Sequence, residues 1–217
     1  MSKQFSDLGI SKPLLNALSD LNIVTPTEIQ QKTIPLLLSN KTDFVGIAKT
    51  GTGKTAAFGL PILQLIDANS PLLQAVILAP TRELGQQIFK NLASFAQFLP
   101  EVSIAATCGG IPIKPQIERL SAPTHIVVAT PGRLIDLIQR KAINLKETKF
   151  LVLDEADEMV SILKESLDEI VAELPKEHKT FSFSATMPGT IKQLVQNYLN
   201  KNVVQVSANM ETVGNQG

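Results

Sequence analysis

The chain has a single cysteine, Cys108, so it can form no internal disulfide, a usage that suits a reducing compartment. Its only histidines, His125 and His178, are far apart in sequence, and no Cys/His cluster has metal-ligand spacing. Charge of either sign is not in excess, because 20 Lys and Arg balance 20 Asp and Glu. That balance excludes a broad basic surface, so a bound nucleic acid would need a local groove. No apolar run approaches the ~18 residues of a membrane span, and residues Met1 to Asp7 do not read as a signal peptide. A cytoplasmic location is the default expectation. Internal repeats and low-complexity blocks are also missing. What is present is 217 residues, 44% of them apolar, enough to bury the core of one α/β domain.

The most informative stretch is Ala48-Lys49-Thr50-Gly51-Thr52-Gly53-Lys54-Thr55. It follows the apolar run Phe44 to Ile47 and opens into Ala56 to Leu60, a plausible helix start. Strand, glycine-rich turn, Gly-Lys-Thr and helix together form the pattern of a phosphate-binding loop. Glycines let backbone N–H groups turn inward around phosphate oxygens, and the helix N-terminus adds a favourable dipole. Lys54 would reach the β- and γ-phosphates, and the Thr55 hydroxyl would ligate Mg²⁺. Ala48 stands where the pattern usually begins with glycine.

Strands and helices alternate along the chain. Residues 6–21 read as one helix with Leu14, Leu15, Leu18 and Leu21 on its inner face, Ser11 as N-cap and Pro13 early. Thr25 is positioned to cap a second helix, with Pro26 at its first position and Glu28 closing a capping box. Its inner face would be Ile29, Ile34, Leu37 and Leu38. Strands are expected at 74–79, 102–107, 126–129, 150–153, 181–184 and 203–206. Helices are expected from Pro80 through Phe98 (Leu84, Ile88, Leu92, Phe95 and Phe98 inward), at 116–120, 134–140 and 191–199. Lys164 to Glu169 reads as a solvated helix face. Such alternation predicts a doubly wound, mainly parallel sheet flanked by helices. Nearly every glycine or polar cluster falls just past the carboxyl end of a strand, the edge where open α/β sheets bind ligands.

A phosphate loop needs a second carboxylate site for Mg²⁺, and Leu151-Val152-Leu153-Asp154-Glu155 supplies one. The apolar strand would fix Asp154 at its end as a metal holder, and Glu155 can orient or deprotonate an attacking water. The run continues as Asp154-Glu155-Ala156-Asp157, and here the chain resembles the DEAD-box RNA helicases. Ala48 to Thr55 resembles motif I of that family, Pro80 to Leu84 motif Ia, Thr130-Pro131-Gly132-Arg133 motif Ib and Ser184-Ala185-Thr186 motif III. The doublet Gly109-Gly110 lies between motifs Ia and Ib. Thr25 to Gln30 is similar to the Q motif, with Phe5 upstream as an isolated aromatic. The resemblance covers about residues 5–206 and implies the first RecA-like domain of a helicase.

It also implies roles. Gln30 would read adenine, since a side-chain amide can both donate and accept at N6 and N7, with Phe5 and Ile23 near the base. Lys54, Asp154 and Glu155 would be catalytic, and Thr55 and Asp154 would hold Mg²⁺. Asp157 would bond Ser184 and Thr186, coupling the ATP site to the RNA-facing side. Thr81, Arg82, Gly109, Gly110, Thr130 and Arg133 would contact the RNA backbone. Taken singly, Thr130-Pro131 is also an ordinary helix start and Gly109-Gly110 an ordinary turn. Residues 1–30 would form a Q-motif region packed on the core, 31–206 the ATP-binding domain, and 207–217 a tail or interdomain linker. The chain departs from the family pattern at Asn22-Ile23, where Gly and an aromatic are usual, and at Glu158 to Lys164, where Arg-Met-Leu-Asp-Met-Gly-Phe is common. No arginine follows Arg140, so the arginine-rich motif of a second RecA-like domain is not in this chain. The chain thus reads as the N-terminal half of a helicase, weak in nucleotide and RNA binding by itself. Two alternatives stay open: a stand-alone ATP- or RNA-binding regulator, and another superfamily 2 phosphate-loop ATPase.

Overall fold

A computed structural model of the chain describes residues 3–186, 189–200 and 202–208. Seven strands form one sheet in the order β3-β4-β2-β5-β6-β1-β7, and every pairing is parallel. They are β1 (Phe44–Ile47), β2 (Ala75–Leu78), β3 (Ile104–Thr107), β4 (Ile126–Ala129), β5 (Phe150–Leu153), β6 (Lys179–Ser184) and β7 (Val204–Ser207). The helices between them are α1 (Lys12–Asp20), α2 (Glu28–Ser39), α3 (Lys54–Leu65), α4 (Arg82–Phe95), α5 (Lys114–Leu120), α6 (Pro131–Gln139), α7 (Ala156–Ile162), α8 (Lys164–Ala172) and α9 (Gly189–Tyr198). The expected doubly wound sheet is therefore what forms. Among the described residues no helix is long and apolar enough to cross a membrane.

The central strands are buried on both faces, which is why they read as continuous apolar runs. Alternation sorts their side chains between two cores. Ala75, Ile77, Ile126, Val128, Phe150 and Val152 face α1–α4, where Leu14, Leu18, Ile34, Phe58, Ile88 and Leu92 meet them. Val76, Leu78, Val127, Ala129, Leu151 and Leu153 face the other way, onto Leu134, Met159, Leu167 and Ile170 of α6–α8.

Local chemistry moves several boundaries from their expected places. The helix expected over 6–21 is two elements: a 3₁₀ turn at Phe5–Leu8 and α1, separated by Gly9 at φ +89°. Gly9 takes this left-handed conformation without steric cost, and Ser11 then starts α1. Leu21 falls just beyond α1 and is exposed, not inward. The cap of α2 is Thr27, not Thr25, and the capping-box partner is Gln30, not Glu28: the Thr27 N–H donates to Gln30 Oε1 at 2.9 Å. Pro26 precedes the cap and does not occupy the first turn. Helix α4 ends at Phe95, so Phe98 lies past the last turn and is exposed. The acidic stretch 164–169 is the outer face of α8, with Leu167 turned inward. Ile191, the expected start of the last helix, lies inside α9, which begins at Gly189; Met187 and residues 209–217 are outside the described residues.

Asp43, at the entry to β1, is 2% exposed, yet its carboxylate is fully used. Oδ1 accepts the Thr180 N–H at 3.0 Å and Oδ2 accepts the Asn200 N–H at 2.7 Å, which ties β1 to β6 and to the turn before β7. Asp43→Ala removes the acceptor of both donors, of which the Thr180 N–H is buried and Asn200 is exposed, and is expected to cost about 1–3 kcal/mol, the cost of one unsatisfied buried group. A shift of the urea midpoint at constant slope measures it; an unchanged midpoint contradicts this role.

Candidate functional site

All strands run in parallel, so their carboxyl ends share one edge. The phosphate loop leaves β1 there, and Asp154-Glu155 leave β5, two strands away with β6 between. The loop is tethered below by the Ala48 N–H, which donates to the Ser184 carbonyl at 2.9 Å, so alanine fits the position usually held by glycine. Gly51 and Gly53 have φ +82° and +89°, which only glycine adopts freely. At Gly53 a Cβ would also stand 2.3 Å from Gln30 Nε2, so both conformation and space require glycine.

Helix α3 begins at Lys54, whose side chain is 5% exposed. Its ammonium donates to Glu155 Oε1 at 2.9 Å and lies 3.6 Å from Asp154 Oδ1. The Thr50 hydroxyl donates to the same Glu155 oxygen at 3.1 Å. Glu155 reaches back because its backbone is left-handed, φ +52° and ψ +50°, a conformation costly for a residue with a side chain. Its N–H donates to Asp154 Oδ1 at 3.0 Å, which fixes the two carboxylates relative to each other. Thr55, Lys49 and Thr52 complete the loop. Lys49 is exposed, and the Thr52 hydroxyl donates to the Lys49 carbonyl.

Gln30 is only 4% exposed and bridges α2 to the loop. Its Oε1 accepts the Thr27 N–H, its Nε2 donates to the Gly53 carbonyl at 3.1 Å, and the Thr27 hydroxyl donates to the Thr52 carbonyl at 2.8 Å. Between these elements lies a cleft of about 370 Å³, lined by Gln30, Thr50, Gly51, Gly53 to Ala56, Asp154 and Glu155. Ile23 lines it too. Phe5 does not: it is 4% exposed in the core and borders a separate pocket with Leu15 and Leu18. The 3₁₀ turn buries the ring against the helices and leaves Ile23 as the apolar residue shared by both pockets. Asn22 has φ +57°, so it takes the left-handed position that glycine would fill, as asparagine tolerates better than most residues. Sequence reading missed the opposite wall, Gln87, Asn91 and Ser94 of α4. Their spacing, one side of a helix whose other side is apolar, was the available signal.

The coupling residues are only partly joined. The Thr186 hydroxyl donates to Asp157 Oδ2 at 3.1 Å, but the Ser184 hydroxyl donates to the Thr186 carbonyl and not to Asp157. Ser184 is fully buried at the end of β6, and its nearest acceptor is its own turn. After Asp157, Met159 and Val160 turn into the core under α7, while Ile162 stays exposed.

The six remaining residues gather past β2, β3 and β4. The Thr81 hydroxyl caps α4 by accepting the Leu84 N–H at 3.3 Å. The Arg82 guanidinium donates to the Gly110 carbonyl at 3.3 Å and makes no ion pair within 4.0 Å among the described residues. Gly110 has φ +77°. The Gly109 N–H donates to the Thr130 hydroxyl at 3.0 Å, and Arg133 Nη2 donates to the Ile111 carbonyl at 2.9 Å. Arg133 Nη1 is buried with no acceptor. Cys108 packs beneath them, fully buried, where burial pushes its thiol pKa up and favours the unreactive neutral form.

The residues fit a magnesium–nucleotide pair. Loop glycines open the backbone towards the cleft, and one buried ammonium and two carboxylates line it. Among the described residues, no group of three or more His, Cys, Asp or Glu side chains could hold a metal ion. Mg²⁺ takes one or two carboxylates together with substrate phosphates, and the cleft presents two, Asp154 and Glu155.

This geometry belongs to a phosphate-loop α/β domain with a carboxylate pair opposite the loop. Residues 27–194 match the DEAD/DEAH box helicase family, and the chain belongs to it. It is 42% identical to the DEAD-box ATP-dependent RNA helicase CshA of Bacillus licheniformis over 217 residues, covering 99% of this chain and 44% of the relative. It is 42% identical over 196 residues to the ATP-dependent RNA helicase DeaD of Escherichia coli, covering 90% of this chain and 31% of that protein. A solved DEAD box protein from Methanococcus jannaschii superposes with a TM-score of 0.88 at 37% identity, covering 96% of this chain and 57% of that one. The chain thus spans under half the length of these two curated relatives.

Burial pushes the Asp154 carboxyl up from its usual range, the Lys54 ammonium opposing. The folded protein therefore holds that proton more tightly than the unfolded chain. The ionised group costs stability above the folded pKa, and the cost fades as pH falls through it. Asp154→Asn, with Lys54 still paired to Glu155, is expected to raise the melting temperature of the ligand-free protein at neutral pH by a few degrees, at ~2–4 °C per kcal/mol. The gap should narrow on acidification. An equal or lower melting temperature at neutral pH contradicts this reading.

Proposed function

We propose that the chain is the N-terminal, ATP-binding RecA-like half of an ATP-dependent RNA helicase, and that the parent protein couples ATP hydrolysis to unwinding or remodelling of RNA. The observation that carries this is the Lys54–Asp154–Glu155 cluster, which joins the phosphate loop to the carboxylates across β6.

On this reading the phosphates displace Glu155 from Lys54, and the ammonium turns to the β- and γ-oxygens. Loop N–H groups from Thr50 to Thr55 surround the phosphates, and the N-terminus of α3 adds its dipole. Thr55 and Asp154 would hold Mg²⁺, which would supply positive charge to the phosphate oxygens. Glu155, freed from Lys54, orients the attacking water and accepts its proton. Gln30 retains a second amide proton and a second carbonyl lone pair, so it can read adenine while still capping α2. The Thr186–Asp157 bond links this centre to the end of β6. Thr81, Arg82, Gly109, Gly110, Thr130 and Arg133 hold the RNA backbone, where the buried Arg133 Nη1 gains a phosphate acceptor. On this reading residues 1–30 are the Q-motif region packed on the core, 31–206 the ATP-binding RecA-like domain, and 207–217 a tail or the start of an interdomain linker.

An arginine finger contributes roughly 10³–10⁵ in rate in this chemistry, and none follows Arg140 here. The second RecA-like domain of the parent supplies it. This chain should therefore bind ATP with little turnover, and RNA should stimulate it less than about twofold. The parent should turn over rapidly, and Glu155→Gln in the parent should keep ATP binding and abolish hydrolysis. A phosphate-release assay on both lengths tests this; robust RNA-stimulated turnover by the 217-residue chain overturns it. Gln30→Ala should weaken ATP and leave GTP affinity little changed; unchanged selectivity would remove Gln30 from this role.

A further inference from the structure

Away from the ligand edge, the loops that enter β5, β6 and β1 carry Lys146 and Lys149, Lys176 and Lys179, and Lys41 respectively. These three strands are neighbours in the sheet, and Lys179 pairs in register with Phe150, the residue after Lys149. The five lysines therefore share one edge, opposite the phosphate loop. Lys146, Lys149 and Lys179 line a cleft of about 320 Å³ together with His178, Glu147 and Glu177. Lys41 and Lys176 adjoin it through their lining neighbours Asn40 and Pro175. Of the other acids in these loops, Asp43 is turned inward onto backbone N–H groups and Glu173, at the end of α8, is exposed. Elsewhere the surface lysines Lys32 and Lys164 sit 2.5 and 2.7 Å from carboxylates one helical turn away. None of the five edge lysines has an ion-pair partner within 4.0 Å among the described residues. Other exposed lysines, such as Lys12, Lys90 and Lys114, are also without ion pairs but are scattered, whereas here five lysines meet three exposed glutamates, Glu147, Glu173 and Glu177, at one edge.

We infer that this amino edge is a second RNA-contact surface, gripping the sugar-phosphate backbone of an RNA whose central segment lies on the carboxyl edge. The inference rests on the proposal that the chain acts on RNA. Lysines are flexible point charges suited to phosphates without base readout. No stacking platform is present, because Phe150, the aromatic in the cleft wall, is 2% exposed, so bases are not read. A strand of six residues spans ~20 Å, so an RNA of about 30 nucleotides can reach around from one edge to the other.

The test uses the 217-residue chain without nucleotide and a 30-nucleotide RNA of mixed sequence, followed by fluorescence anisotropy across a KCl series. Lys146→Glu with Lys149→Glu should weaken binding at least tenfold. It should also lower the slope of log K against log salt by about 1.4, at ~0.7 per single-strand phosphate contact. Lys12→Glu with Lys90→Glu makes the same charge change away from this edge and should stay within twofold of the parent chain. Melting temperatures should be shared by all three proteins. Equal weakening by both pairs, or none by either, overturns the inference, as does displacement of the RNA from this edge by polyglutamate at matched charge. Arg82→Ala reports the carboxyl edge separately. Binding sensitive to Arg82 but not to the lysine pair defeats this inference alone, and the converse defeats the carboxyl-edge assignment alone.

Discussion

The Lys54 ammonium sits between two carboxylates at 2.9 and 3.6 Å in a place where water scarcely reaches. Leaving the buried ammonium with neither carboxylate in such surroundings would cost several kcal/mol. The cluster therefore fixes the phosphate loop against the end of β5 and sets the width of the cleft. It also gives the loop an internal anion. The Glu155 carboxylate lies against the ammonium and the Thr50 hydroxyl, contacts that the proposed function assigns to phosphate. On the proposed function, nucleotide binding would exchange one anion for another, avoid stripping water from a bare ammonium, and release Glu155 at the same moment.

That arrangement depends on the sheet. Parallel order puts every loop of consequence on one edge, and the order β3-β4-β2-β5-β6-β1-β7 divides that edge. The β1 and β5 loops hold the phosphate-type cluster, while the β2, β3 and β4 loops hold Thr81, Arg82, Gly109, Gly110, Thr130 and Arg133. The Thr186–Asp157 bond lies beside the first group, at the end of β6. Buried polar groups such as Asp43 and Gln30 hold the loops in place, a task that apolar packing alone does not perform.

Much of this was legible in the sequence. Continuous apolar runs gave the buried strands because both faces are covered. Gly51, Gly53 and Lys54 gave the loop because few other residues allow its backbone. The failures were local. Gly9 split a helix whose leucine spacing alone looked continuous. Thr27 replaced Thr25 as cap because its side chain and N–H meet the phosphate loop and Gln30, contacts that depend on tertiary structure. Phe98 kept the helical period but lies past the end of α4. Ser184 chose its own turn over Asp157, a choice between two acceptors that no spacing reveals. The polar side of α4 was legible as such, but not that it faces the cleft, and the Asp43 staple was invisible because its partners lie 137 and 157 residues away in the chain.

The central claim is that Lys54 and its two carboxylates form a nucleotide site already assembled in this chain. Calorimetric titration of Mg²⁺ with a non-hydrolysable ATP analogue into the 217-residue protein and its Lys54→Ala variant addresses it most directly. The account predicts one site per chain in the former and no measurable binding in a folded Lys54→Ala protein. Equal binding by both, or none by the unmodified chain, would contradict it.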